Sequence, residues 1–379
     1  MGFNIYLHFL FALTNAITFP SPTGPYNVGM RPYVLNHTTL NDPVAPSGTG
    51  SSILVNFYYP TKDAAPLQPY LPKALTTYYE EYYSVPVGTF TNITAPIAPN
   101  AASLSANHST RLPTLLFGPP AAGPPSHLFF ALISDLASHG YTVVTVDHPY
   151  EPPILVYPNN TVIVGLPPDG GDVDLGDLYA YRLADTSALL DALPEISRTL
   201  EVPTNLSHLV FLGHSIGGSA ALNQVLVEKA RNPPHGSKKF FLGAINIDGM
   251  LFGDVAANST SADLRTPSLL LANSENTPDV PTGWSLFESL QTSWSKTVRV
   301  VGGVNHTDFS DLVVWKQGAG ITGGNGVIKA DRMVQITRKF VGDFMSFVQR
   351  KGEGVLSGSG KVLEEWPEVR FDYNGTGNA

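Results

Sequence analysis

A serine hydroxyl is a weak nucleophile until a base takes its proton and an acid orients that base. Ser215 lies in Gly213-His214-Ser215-Ile216-Gly217, the sole G-x-S-x-G match in the 379-residue chain. The apolar run HLVFLG precedes it and GGSAALNQVLVEKA follows, so Ser215 is expected on a tight turn from a strand into a helix. Glycines two residues to either side let strand and helix approach where a Cβ would collide. The helix that follows aims its first amides at the same place and favours an oxyanion there. The plainer reading is a serine that caps a helix.

The base and acid must come from elsewhere, in the chain order serine, carboxylate, histidine. Asp248, in INIDG, closes the next strand, where a short side chain reaches over the sheet edge. Glu275 or Asp279, beyond SLLLANS, would serve in a sheet that places the acid one strand later. On residues alone both positions stay open. His306, in VVGGVNHTDF, follows the last expected strand after two glycines and is the candidate base. His127, His148 and His214 lie upstream of the elbow or within it, and His235 sits on a polar turn before the Asp248 strand.

An oxyanion needs two backbone donors. One is the amide of Ile216; the other must come from the loop GPPAAGPP, residues 118–125. Its four prolines have no N–H, which leaves Ala121, Ala122 and Gly123 after Gly118. A rigid turn that donates nothing is the alternative.

These residues need a scaffold. From residue 111 onward, short apolar runs at 113–117, 142–146, 209–212, 242–247, 268–271 and 297–301 alternate with helical stretches at 128–138, 178–193, 218–230, 284–294 and 328–349. That pattern predicts an α/β fold, a mostly parallel sheet with helices on both faces. A further β-rich run covers 51–59. Residues 20–46 read as an extended lead-in, about 60–110 as an insertion or lid-like excursion, and 351–379 as an irregular tail. The domain proper spans 17–350. Tyrosines between 70 and 83 read as core packing, with a lipid-facing entrance as the alternative. Arg182 and Asp185, three apart on one expected helix, are placed to form a structural ion pair.

Composition narrows the class. The chain has 43% hydrophobic residues and a formal net charge of −9, which suits a large core and disfavours a nucleic-acid partner. It contains no cysteine, so thiol nucleophiles, disulfides and thiolate metal sites are excluded. No H-E-x-x-H or similar ligand spacing occurs, and no metal or organic cofactor is expected. The apolar run at 3–13, followed by Thr14-Asn15-Ala16, reads as a secretory signal peptide over 1–16, although no Lys or Arg precedes it. Eight Asn-x-Ser/Thr sequons, at Asn36, Asn92, Asn107, Asn159, Asn205, Asn258, Asn305 and Asn374, fit an exported glycoprotein. A glycan on Asn305 would crowd His306, so Asn305 is expected to be unmodified.

The stretch LISDLASHGYTVVTVDHP, with GHSIGGSA, INIDG and VNHTDFSD, resembles the plasma-type platelet-activating factor acetylhydrolases, or group VII phospholipases A2, over about 111–347. The resemblance implies an α/β-hydrolase fold and a secreted, extracellular serine esterase, a 1-alkyl-2-acetylglycerophosphocholine esterase that removes short sn-2 acyl groups from phospholipids. It favours Asp248 over Glu275 and Asp279. It makes Ser215, Asp248 and His306 nucleophile, acid and base, and puts the oxyanion amides on Ala122 and Ile216. The implied partner is a small-molecule or phospholipid ester, with transient lipid-surface contact at most. Two departures stand out: Pro120-Ala121 replaces the family's His-Gly pair, and Met250 replaces a tryptophan. A cutinase-like polyester hydrolase, a general carboxylesterase, and a silent lipid-binding protein on the same fold are the competing readings.

Overall fold

The structure, a computed structural model, describes residues 17, 19–39, 42–46, 52–104, 111–168, 170–171, 173–231, 240–273, 282–323, 326–358 and 363–377. The expected signal peptide, Asn107, His235, Glu275 and Asp279 lie outside the described residues.

Alternation within the apolar runs builds the sheet. In β10 (His208–His214), Val210 and Leu212 face one core cluster while Leu209 and Phe211 face the other. A strand apolar on both faces must be covered on both. Its neighbours repeat the arrangement. Strands β6 (Thr114–Gly118), β7 (Thr142–Asp147), β11 (Phe240–Ile247), β12 (Ser268–Ala272) and β13 (Trp294–Val300) run parallel with it in the order β13-β12-β11-β10-β6-β7. Helices α2 (Phe130–Ser138) and α7 (Ala330–Val348) pack on one face. Helices α3 (Leu175–Leu200), α4 (Ile216–Ala230) and α5 (Trp284–Leu290) pack on the other. Each fully buried Leu or Phe here contributes about 1.5–3 kcal/mol relative to exposure.

The expected parallel core is therefore present, and the differences lie at its edges. The lead-in contains β1 (Asn27–Asn36), a full strand paired antiparallel with β2 (Ser52–Thr61), which itself pairs antiparallel with β7. Pro32 disguises it, but β5 (Ala98–Pro99) pairs only with Gly29 and Met30, so no ladder is broken at the proline. The tail is not irregular throughout. Strand β14 (Val369–Thr376) pairs antiparallel with β13 and closes the far edge, making ten strands in the described sheet.

The excursion is a folded layer. It carries a hairpin of β3 (Leu67–Pro69) with β4 (Thr94–Pro96), helix α1 (Lys73–Tyr82) and the strand β5. Leu75, Thr76, Tyr79 and Glu80 of α1 are buried, a helical spacing. Phe90 stacks on Trp315 with centroids 4.6 Å apart, and the Tyr70 hydroxyl accepts from Trp315 Nε1 at 2.8 Å. Those contacts fasten the layer to helix α6 (Leu312–Gly318). Tyr70 and Tyr79 are core residues, as the packing reading expects, whereas Tyr82 is exposed. A second hairpin, β8 (Ile154–Val156) with β9 (Val162–Val164), follows β7. Among the described residues no helix is long and apolar enough to cross a membrane.

Candidate active site

Strand β10 ends at His214 and α4 begins at Ile216, so the whole reversal falls on Ser215, at φ 58° and ψ −129°. A non-glycine residue held there stores about 1–3 kcal/mol of strain. The neighbouring glycines show what the turn requires. A Cβ on Gly213 would lie 2.3 Å from the Gly217 carbonyl oxygen, and one on Gly217 would lie 2.2 Å from that of Gly118. The Ser215 amide donates to the Ile247 carbonyl at 2.8 Å, tying the elbow to the end of β11.

The next residue of that strand is Asp248, 2% exposed and also at positive φ. His306 Nδ1 lies 2.6 Å from Asp248 Oδ2. Asn273 meets the same carboxylate twice, its amide donating to Oδ1 at 2.7 Å and its Nδ2 to Oδ2 at 2.9 Å. A buried carboxylate keeps its charge only when its lone pairs are matched in this way. Asn246 holds the turn after Asp248 by bonding Gly249 at both N–H and carbonyl, and Trp284 Nε1 donates to the same Gly249 carbonyl.

His306 opens a short 3₁₀ turn with its side chain 45% exposed. Asn305 caps that turn reciprocally with Asp308, so its amide side chain is engaged. Behind the imidazole stands His214, fully buried, with Nε2 2.8 Å from the His306 carbonyl oxygen and the two ring centroids 4.4 Å apart. Burial, and then the neighbouring His306, hold the His214 ring well below the ordinary histidine pKa. His214, Asp248 and His306 offer ligand atoms within 4.8 Å of one another. Asp248 is committed to His306 and Asn273, and His214 Nε2 to a carbonyl, which is a donor set for hydrogen bonds rather than for a cation.

The loop at 118–125 faces the elbow, with Ala121, Ala122 and Gly123 half-buried and Ala122 in the left-handed region at φ 49°. Arg182 braces it by donating to the Pro119 carbonyl at 2.6 Å. The expected pair between Arg182 and Asp185 does not form. Arg182 instead bonds Glu151, through Nε at 2.9 Å and through Nη2, while Asp185 takes His148 Nδ1 at 2.8 Å and Thr39 Oγ1 at 2.9 Å. The i, i+3 spacing brought the pair onto one helix, but the buried Glu151 carboxylate supplies a planar bidentate match. Burial opposes the Arg182 charge, and Glu151 more than offsets this, so its pKa sits above the ordinary value.

Of the residues expected from the motifs or from the resemblance, Ser215 and Ile216 form the elbow, Asp248 and His306 bond each other beside it, and Ala122 lies on the half-buried loop at 118–125. Sequence reasoning missed Asn273, Arg182 as a loop brace, and the His214 contact. Asn273 was visible as a polar residue closing SLLL at the same edge; the other two depend on contacts between distant segments.

No protein-family model matches the chain. A protein of Arthroderma benhamiae, named a probable 1-alkyl-2-acetylglycerophosphocholine esterase, is 28% identical over 285 residues, covering 70% of this chain and 67% of that protein. The solved structure of a ferulic acid esterase from Streptomyces cinnamoneus superposes with a TM-score of 0.76 at 23% identity, covering 95% of this chain and all of that one. The architecture is therefore that of an α/β-hydrolase.

Proposed function

We propose that this chain, a carboxylic-ester hydrolase of the α/β-hydrolase fold, removes short acyl groups, sn-2 acetyl above all, from glycerophosphocholines with Ser215, His306 and Asp248. Ser215 attacks the ester carbonyl while His306 takes its proton and Asp248 fixes the imidazole tautomer. The amides of Ile216 and Ala122 hold the oxyanion. The tetrahedral adduct collapses by breaking the ester C–O bond, and the lysophospholipid alcohol leaves with the proton that His306 gives back. Water, passing a proton to His306, then attacks the acyl-enzyme, and the carboxylic acid departs as Ser215 recovers its hydrogen. The observation that carries this reading is the 2.6 Å contact between His306 Nδ1 and Asp248 Oδ2 beside a serine on a strained elbow. The acetyl-glycerophosphocholine class rests on the Arthroderma relative.

One feature of the site favours a second reading, a broader carboxylesterase acting on bulkier apolar acyl groups. Ile216 forms an apolar cluster with Leu178 and Tyr181, against which Ala121, Tyr179 and Phe252 pack half-buried. Tyr179 and Phe252 stack with centroids 6.5 Å apart. The cluster contains residues from both oxyanion segments and would meet a substrate's hydrocarbon.

Initial rates on 1-alkyl-2-acylglycerophosphocholines with sn-2 chains of increasing length, and on a hydroxycinnamate ester, separate the readings. A maximum at acetyl supports the first. A maximum at long or aromatic acyl groups supports the second, and no turnover of any ester contradicts both.

The same reading includes export and N-glycosylation, supported by the segment at 1–16 and the sequons. The engaged side chain of Asn305 supports its remaining unmodified. Glycopeptide mass spectrometry of active protein should find Asn305 bare, and high occupancy there would contradict this part.

A further inference from the structure

We propose that His214 is a positioning residue that fixes the catalytic base, acting through the backbone of His306 rather than on substrate. The inference rests on the triad reading above.

The base opens a 3₁₀ turn capped by Asn305 and Asp308, and a pair of glycines joins that turn to β13. Gly302 and Gly303, both at positive φ, precede the turn that carries it, and its side chain is 45% exposed. Its imidazole is held at one end by Asp248. Nothing in that contact fixes the main chain, which must also be placed if Nε2 is to meet the Ser215 hydroxyl. His214 supplies the second anchor. It is the last residue of β10 and the neighbour of Ser215, so its bond to the His306 carbonyl ties base and nucleophile through one side chain.

A carbonyl only accepts, so Nε2 of His214 must carry the proton and Nδ1 must carry a lone pair. Nδ1 is buried and has no hydrogen-bond partner among the described residues. A neutral ring with one bare, buried nitrogen is a poor choice for stability alone, because an unpaired acceptor lowers it. Phe129 and Phe309 flank the ring, at 5.4 and 6.2 Å between centroids, so an apolar ring would satisfy the packing. What phenylalanine would lack is the donor. The neutral state also matters when His306 takes the serine proton, because a charged neighbour 4.4 Å away would oppose the imidazolium. The titratable groups facing His214 are His306 and Asp248, themselves the base and acid.

His214→Phe keeps the ring and removes the donor; His214→Gln restores an N–H of similar reach. For His214→Phe, kcat should fall about tenfold or more with KM within about twofold, because a small misplacement of the base affects the chemical step. Its melting temperature should equal or exceed that of the wild type, and His214→Gln should recover most of kcat. Wild-type kcat in His214→Phe overturns the proposal. So does a loss of kcat matched by a loss of melting temperature that glutamine does not repair.

Wild-type protein gives a reading independent of any variant. Nitrogen-15 spectra should show His214 as the neutral Nε2–H tautomer throughout the pH range of activity, and a His214 that charges in the ordinary histidine range or is protonated on Nδ1 would overturn the inference. A wild-type protein that a fluorophosphonate does not label refutes the serine-hydrolase reading, whereas labelling of His214→Phe at the wild-type rate refutes only the role of His214.

Discussion

Asp248, only 2% exposed, is met by His306 Nδ1 and by both nitrogens of Asn273. The side-chain half of the Asn273 contact can be removed without altering Ser215, Asp248 or His306. Asn273→Ala leaves its backbone donor in place and deletes Nδ2, so kcat should drop by one to two orders of magnitude, equivalent to about 1.5–3 kcal/mol for a hydrogen bond to a charged group. Steady-state kinetics check this, and an unchanged kcat would mean that the acid needs no such support. Asp248→Asn keeps the shape but presents the wrong partner to Nδ1, and should cost about 10⁴ in kcat if the imidazole tautomer is set by this contact. Ser215 and His306 stand out in the sequence because each follows an apolar strand, and chain order excludes the other histidines as the base. The choice between Asp248 and a carboxylate one strand later was not legible from the residues, since either places an acid at the same edge.

Close backbone approach governs the elements around the elbow. On Gly217 a Cβ would fall 2.2 Å from the Gly118 carbonyl oxygen, a backbone atom that no rotamer change can move aside. Gly217→Ala must push β6 away from α4 and carry the loop at 118–125 with it. A displacement near 1 Å is enough to lower kcat about 10²-fold, with a stability loss of about 1–3 kcal/mol from overpacking. Kinetics and urea unfolding together separate the two effects. Arg182→Met tests the loop brace: Glu151 is left buried without its guanidinium, and removing one partner of such a pair costs about 3–5 kcal/mol. A variant as stable as wild type would show that Arg182 is dispensable. The apolar runs marked the central strands, but the short β3, β4, β5, β8 and β9 and the longer β1 and β14 did not stand out. In β14 the alternation of Val369, Phe371 and Tyr373 with Arg370, Asp372 and Asn374 is present in the sequence and was masked by the Gly- and charge-rich residues before it. In β1, Gly29 and Pro32 hid a strand whose outer side needs few ladder bonds.

Over the whole molecule, stability depends on segments that looked peripheral. Val369 is fully buried, Asp372 pairs with Arg299 at 2.6 Å, and the Tyr373 hydroxyl donates to the Glu288 carbonyl at 2.8 Å. A chain ending at residue 358 should expose the edge of β13, melt lower and aggregate, as light scattering during a thermal ramp would show; an unchanged melting temperature would contradict the role given to β14. A second global term comes from Asp311, which accepts from the amides of Phe130 and Ala131 and so joins the segment after His306 to α2. Burial raises its pKa from 3.8 to about 7. A carboxyl that holds its proton longer when folded lets the unfolded chain ionise first, so stability falls as pH rises between about 4 and 7 and levels off above. Urea midpoints across that range should fall less steeply in Asp311→Asn than in wild type, and parallel curves would contradict the assignment. The central claim is that residues 33 and 58 positions apart in the chain are folded into one nucleophilic centre. Its most direct test is to treat the protein with a fluorophosphonate and map the adduct by peptide mass spectrometry. A single adduct on Ser215, lost in Ser215→Ala and strongly slowed in His306→Ala, is the predicted result; an unlabelled Ser215, or one labelled equally fast without His306, would contradict it.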